Sequence, residues 1–60
     1  MSYKVGVRLD GDGEWVFDAL RFKNEADAHA YGNLLWRRWS AVQVWEVFAS
    51  DDLANVESFA

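Results

Sequence analysis

The residue types best suited to chemistry in this chain stand in one run, Trp36-Arg37-Arg38-Trp39. Planar rings beside guanidinium groups can stack on nucleobases and pair with phosphates. At about 100° per residue, Trp39 falls near a helical stripe with Ala28, Tyr31, Leu35 and Val42, while Trp36 points roughly 100° from the centre of that stripe. Trp39 therefore reads as core. Trp36 reads as a surface ring that packs under the C-terminal tail, meets a protein partner or stacks on a ligand. Arg37 and Arg38 also suit the C-terminal end of a helix, where each cation contributes about 0.3–1 kcal/mol.

The other polar groups suggest less. Asp10, Asp12 and Glu14 have the spacing of a calcium loop, but Trp15 and Arg21 stand where an EF-hand needs Gly and an acid. The run reads as a solvated hairpin turn. His29 falls on the far side of the helix from the stripe, with no carboxylate or lysine spaced to pair it with a nucleophile. Ser40 is a helix-end residue. Asp51-Asp52 lies on a tail, where a raised pKa is hard to arrange. With no cysteine and one histidine, disulfides and thiolate zinc sites are ruled out and a His-based metal site is not expected. A chain of 60 residues also lacks the material to close a pocket of about 300 Å³ alone. The expectation is a protein that is not an enzyme and carries no metal or cofactor.

The elements that would position these side chains follow from periodicity. Residues 3–9 alternate, with Tyr3, Val5, Val7 and Leu9 opposite Lys4, Gly6 and Arg8, which marks a half-buried strand. Asp10-Gly11-Asp12-Gly13 reads as a hairpin turn. A second strand or extended segment runs over 14–22, with Trp15 and Phe17 on its apolar side and Leu20 and Phe22 sharing one phase. Asn24, three residues before Asp27, favours a helix start, and the helical pattern runs over 25–40. Gly32 lies beside the apolar stripe. Its cost of about 1 kcal/mol against Ala implies close approach of the helix to the sheet.

A third strand over 42–49 is apolar on both faces, so it is covered twice or meets another chain. The tail, 50–60, starts with a cap (Ser50, Asp51, Asp52) and places Leu53, Val56 and Phe59 at spacing three. It suits one or two helical turns or a docking arm. The expected architecture is one α+β domain over 1–60, a three-stranded antiparallel sheet (β-β-α-β, order 2-1-3) with one helix on one face. The open face would hold Lys4, Arg8, Glu14, Val16 and Asp18. Tyr3, Trp15, Phe17, Phe22, Tyr31 and Trp39 would fill the core between helix and sheet.

Composition sets outer limits. A formal net charge of -4 argues against general nucleic-acid binding. The longest apolar runs, such as Leu34-Leu35-Trp36, fall far short of the roughly 20 residues that cross a bilayer. Residues 1–10 lack an apolar h-region, so a cytoplasmic location is expected. So short a chain buries only about 60% of the surface it exposes unfolded, which favours self-association as a dimer or higher oligomer.

The stretch Leu20-Arg21-Phe22-Lys23-Asn24-Glu25-Ala26-Asp27-Ala28, with Tyr31, Leu35, Arg38-Trp39, Ala41-Val42 and Ser50-Asp51-Asp52, resembles a group of small uncharacterised proteins of bacteriophages and related bacterial genomes. Their pattern runs R-F-x-[TN]-x-x-E-A-x-x-Y, then L-x-x-R-W-x-x-V and S-D-D-P. The resemblance covers about residues 3 to 55. Asp27 stands where the pattern has Glu, and Leu53 where it has Pro. The resemblance implies a phage accessory protein in the cytoplasm of an infected or lysogenic host, and it brings no catalytic residue. Trp, Tyr and Arg are the types enriched at interface hot spots. The expected function is therefore stoichiometric binding of a host or defence protein. Candidate contacts are Trp36, Arg37, Arg38, Trp45, Phe48 and Phe59. The alternatives are an oligomer that sequesters an anionic nucleotide between Trp36 and the arginines, or a small structural or nucleic-acid-associated module.

Overall fold

The computed structural model describes residues 1–9, 11 and 13–57. Three strands and one helix follow in the order β1 (Ser2–Leu9), β2 (Val16–Phe17), α1 (Glu25–Arg38) and β3 (Val42–Ser50). The sheet is ordered β2-β1-β3, with β1 antiparallel to both neighbours and α1 packed on one face. This is the α+β, β-β-α-β architecture with order 2-1-3 that periodicity predicts. Asp10 and Asp12 of the expected hairpin turn lie outside the described residues, as does Phe59.

The helix starts where its cap chemistry places it. Asn24 has extended backbone and its side-chain oxygen accepts from the Asp27 amide at 2.8 Å, with Glu25 and Asp27 in the first turn and Arg37 and Arg38 in the last. The Trp39 amide closes the helix on the Leu35 carbonyl at 2.8 Å, two residues before the expected end. Beneath α1 lies a small core of Val5, Val7, Phe22, Ala28 and Val42, with Phe22 fully buried. Gly32 is buried over Trp45, and a Cβ at this position would overlap the indole ring. Close approach of helix to sheet is why glycine stands here.

The second strand departs from expectation in length and in phase. It is two residues long, not nine, because the chain leaves the sheet after Phe17 and returns only at the single bridge Tyr3↔Phe22. Asp18 holds the excursion: its carboxylate accepts the Leu20 amide at 3.0 Å and the Tyr31 hydroxyl at 2.5 Å. The register Gly6↔Phe17 and Val7↔Val16 puts Phe17 on the Gly6 side of the sheet and Val16 on the helix side. Trp15 and Phe17 therefore lie on the open face, where the alternation had placed Val16 and Asp18. Gly6 explains the inversion. A Cβ there would come within 2.7 Å of the Phe17 ring and 2.8 Å of the Phe48 ring, so the missing side chain opens a seat for both.

The tail forms no helix over 51–57 but docks as an arm. Val56 bridges Phe22 in parallel, and the Asn55 and Val56 amides donate to the Arg21 carbonyl at 2.8 and 3.0 Å. The Asn55 side chain accepts from the Arg21 amide and donates to the Ala19 carbonyl, both at 2.8 Å. The Arg21 guanidinium meets Asp52 at 2.9 Å and the Asp18 carbonyl at 2.7 Å. One edge of the sheet is thereby covered by the chain's own C-terminal segment.

Candidate functional site

Three surfaces collect the side chains that are left over from the core. The first is a cleft between α1 and the β1–β2 hairpin. α1 packs on β1 and β3 and leaves β2 uncovered, so the space beside Val16 is unfilled. The cleft has a volume of about 180 Å³ and is walled by Val5, Val7, Val16, Phe17, Tyr31, Leu35 and Trp39. Its polar wall is Asp18, whose carboxylate is already engaged by the Tyr31 hydroxyl. Partial burial, followed by that hydrogen bond and the Asp18 charge, pushes the Tyr31 phenol up to about 12. An apolar cavity of roughly 150 Å³ takes a benzene ring, so this cleft has room for one large apolar side chain. Trp39 forms its lip with 41% of its surface exposed. The reading of Trp39 as core is corrected here: as the C-cap residue it has left the helical wheel, and its ring stands at the rim.

The second surface is the open face of the sheet. Trp15 and Phe17 each meet Phe48 edge-on, at 5.1 and 5.3 Å between centroids. Lys4 lies 4.3 Å from the centre of the Phe17 ring, and Arg8 lies 5.0 Å from that of Trp15. Each cation is held over a ring by the quadrupole of the aromatic face. Phe48, a candidate contact, is thus a half-buried member of a satisfied aromatic cluster.

The third surface is the β3 flank of α1. His29 packs edge-on against Trp45 at 4.8 Å, on the side away from Tyr31. Trp36 is seven residues on from His29, two turns along the same flank, and is 53% exposed. Arg37 and Arg38 are exposed on the last turn. The five candidate contacts among the described residues are therefore not gathered into one site. Trp36 stands on the flank, Arg37 and Arg38 at the helix end, Phe48 on the opposite face of the sheet, and Trp45 half-buried beneath Gly32 and His29. Trp45 is accounted for as packing, because it fills the gap that Gly32 leaves.

The residues that sequence reasoning missed are Val16, Leu35 and Trp39. Leu35 and Trp39 lay on the apolar stripe and so read as buried. The brevity of β2 is what exposes them, and no periodicity carries that signal. Among the described residues, no group of three His, Asp or Glu side chains comes together to hold a metal ion, and no helix is long and apolar enough to cross a membrane. No protein-family model matches the chain, and no significant match to a curated protein or a solved structure is found.

Proposed function

We propose that this chain is a non-catalytic accessory protein of phage type that acts stoichiometrically, by binding a host or defence protein in the bacterial cytoplasm. The observation that carries the reading is the apolar cleft of about 180 Å³ lipped by Trp39 and Val16. Its partner presents one large apolar side chain, which the cleft buries between Val16, Leu35 and Trp39. A buried anchor in a preformed pocket with an aromatic rim is how small interfaces concentrate binding energy. The polar groups that could otherwise do chemistry are engaged in structure: Asp18 by Tyr31 and Leu20, Asp52 by Arg21, and His29 against Trp45. The resemblance to small phage-encoded proteins supports the biological setting.

Immobilised protein and its Val16→Asp and Trp39→Ala variants, challenged with host lysate at several salt concentrations, test the reading. A partner retained by the native chain and lost by both variants is expected. Recovery of the bait alone, or equal capture by Val16→Asp, would overturn it. Titration with cyclic and linear nucleotides, and filter binding to single- and double-stranded DNA, covers the alternatives. Saturable binding in either assay, with nothing captured from lysate, would replace this reading with the corresponding one.

A further inference from the structure

The two edges of the sheet are treated differently by the chain. The β2 side is closed off at its lower end by residues 51–57, through Val56 and the Arg21–Asn55–Asp52 hydrogen bonds. On the other side, β3 runs for nine residues and pairs only with β1 among the described residues. At about 3.4 Å per residue the bare edge is roughly 30 Å long, the full length of a molecule measuring 31 × 22 × 14 Å. It contains no proline, glycine or lysine, and Glu46 is its one charge. An edge of this length normally carries several blocking features.

We infer that the β3 edge is an interface for a second copy of the chain, paired antiparallel about a two-fold axis to give a continuous six-stranded sheet. Symmetry and sequence together select the register. Directly opposed residues in an antiparallel pair must both point their backbone groups inward or both outward, so the axis passes through a residue paired with its own copy. The β1–β3 ladder is irregular between Arg8 and Leu9, where Val42 and Val44 are its partners, which leaves Val44–Ser50 as the regular stretch. The axis that uses all of this stretch passes through Val47. It sets Val44 opposite Ser50, Trp45 opposite Ala49, and Glu46 opposite Phe48.

Charge and size agree with that choice. An axis through Glu46 would oppose two carboxylates, which is unfavourable. The axis through Val47 instead puts Glu46 in the same cross-strand row as the Lys4 of the second copy, because Lys4 pairs with Phe48. On the helix side the bulky Trp45 faces the small, exposed Ala49 of the other chain. The overhanging flank of His29 and Trp36 lies above that same edge, so exposed Trp36 gains cover from the second copy. Residues 51–57 depart toward the opposite edge, where Asn55 and Val56 dock on Arg21 and Phe22. Stable dimers bury about 800 Å² per partner. That is near a fifth of the 4123 Å² this chain exposes, and a full-length edge plus the Trp36 flank is the surface positioned to supply it.

The chain has no cysteine, so a single introduced one reports its own position. Val47→Cys should oxidise to a covalent dimer, whereas Trp45→Cys and Ala49→Cys, four residues out of register with themselves, should not. Sedimentation of the native chain should give twice 6.9 kDa at tens of micromolar. Glu46→Lys or Lys4→Glu should each weaken the dimer about fivefold, and the pair together should restore it. A 6.9 kDa monomer at 100 µM would overturn the proposal. So would a dimer crosslinked through Phe17→Cys on the open face or Leu53→Cys on the tail rather than through Val47→Cys. Because the cleft and the β3 edge lie on opposite flanks of α1, loss of dimerisation in Glu46→Lys leaves partner capture through the cleft to be read separately.

Discussion

Replacing Gly32 by alanine separates two effects of opposite sign. In an open helix position the change stabilises by about 1 kcal/mol, since glycine has the larger backbone entropy to lose. At Gly32 the new methyl would overlap the six-membered ring of Trp45, which His29 of the same helix also contacts edge-on at 4.8 Å between centroids. Overpacking of this kind costs about 1–3 kcal/mol. The steric term outweighs propensity, and the net change is a loss of about 1 kcal/mol. For so small a domain the urea m-value is about 1 kcal/mol/M, so the unfolding midpoint should fall by about 1 M. Far-UV circular dichroism is the suitable probe, at one fixed protein concentration because dimerisation links stability to concentration. The double variant Gly32→Ala/Trp45→Leu should recover at least 1 kcal/mol relative to the sum of the single changes. A midpoint that rises by about 1 M in Gly32→Ala would refute the claim that helix and sheet meet at this residue.

Three further outcomes follow from the same geometry. Phe22→Ala should cost about 3–5 kcal/mol against a total near 3–9 kcal/mol for 60 residues, and a lost cooperative thermal transition would show it. The Tyr31 phenol is raised from its ordinary 10 to about 12, so its contribution to stability is intact below pH 10 and is lost as pH rises toward 12. Absorbance titration should show a phenolate step near pH 12 that Tyr31→Phe abolishes, and the stability loss over pH 10–12 should shrink with it. Asn55→Ala removes two side-chain hydrogen bonds at an exposed position and should cost about 1 kcal/mol. Amide exchange at Val56 should then accelerate while Val5 and Val7 stay protected.

Much of the fold was legible in the residues. Period-two alternation over 3–9, the strand composition of 42–49, the Asn24 cap and the helical stripe are local signals, because each rests on residue types and contacts within a turn or a strand pair. The docking of helix on sheet at Gly32 was legible too, since an interior glycine has a cost that packing must offset. The phase of the second strand was not. Trp15, Val16 and Phe17 are apolar at both parities, so alternation alone does not say which of them faces the helix. Gly6 decides it from eleven residues away, by leaving a seat that the Phe17 and Phe48 rings share.

The candidate contacts divide along the same line. That Trp36 stands off the core stripe follows from 3.6 residues per turn, and the sequence by itself determined it, together with the element order and the helix cap. The tertiary structure alone decided that Trp45 is filled-in packing, that Trp39 is a rim and that a cleft opens beside Val16. These outcomes depend on where a two-residue strand ends and how far the helix reaches across the sheet. Such distances are set by non-local packing, which no spacing along the chain encodes.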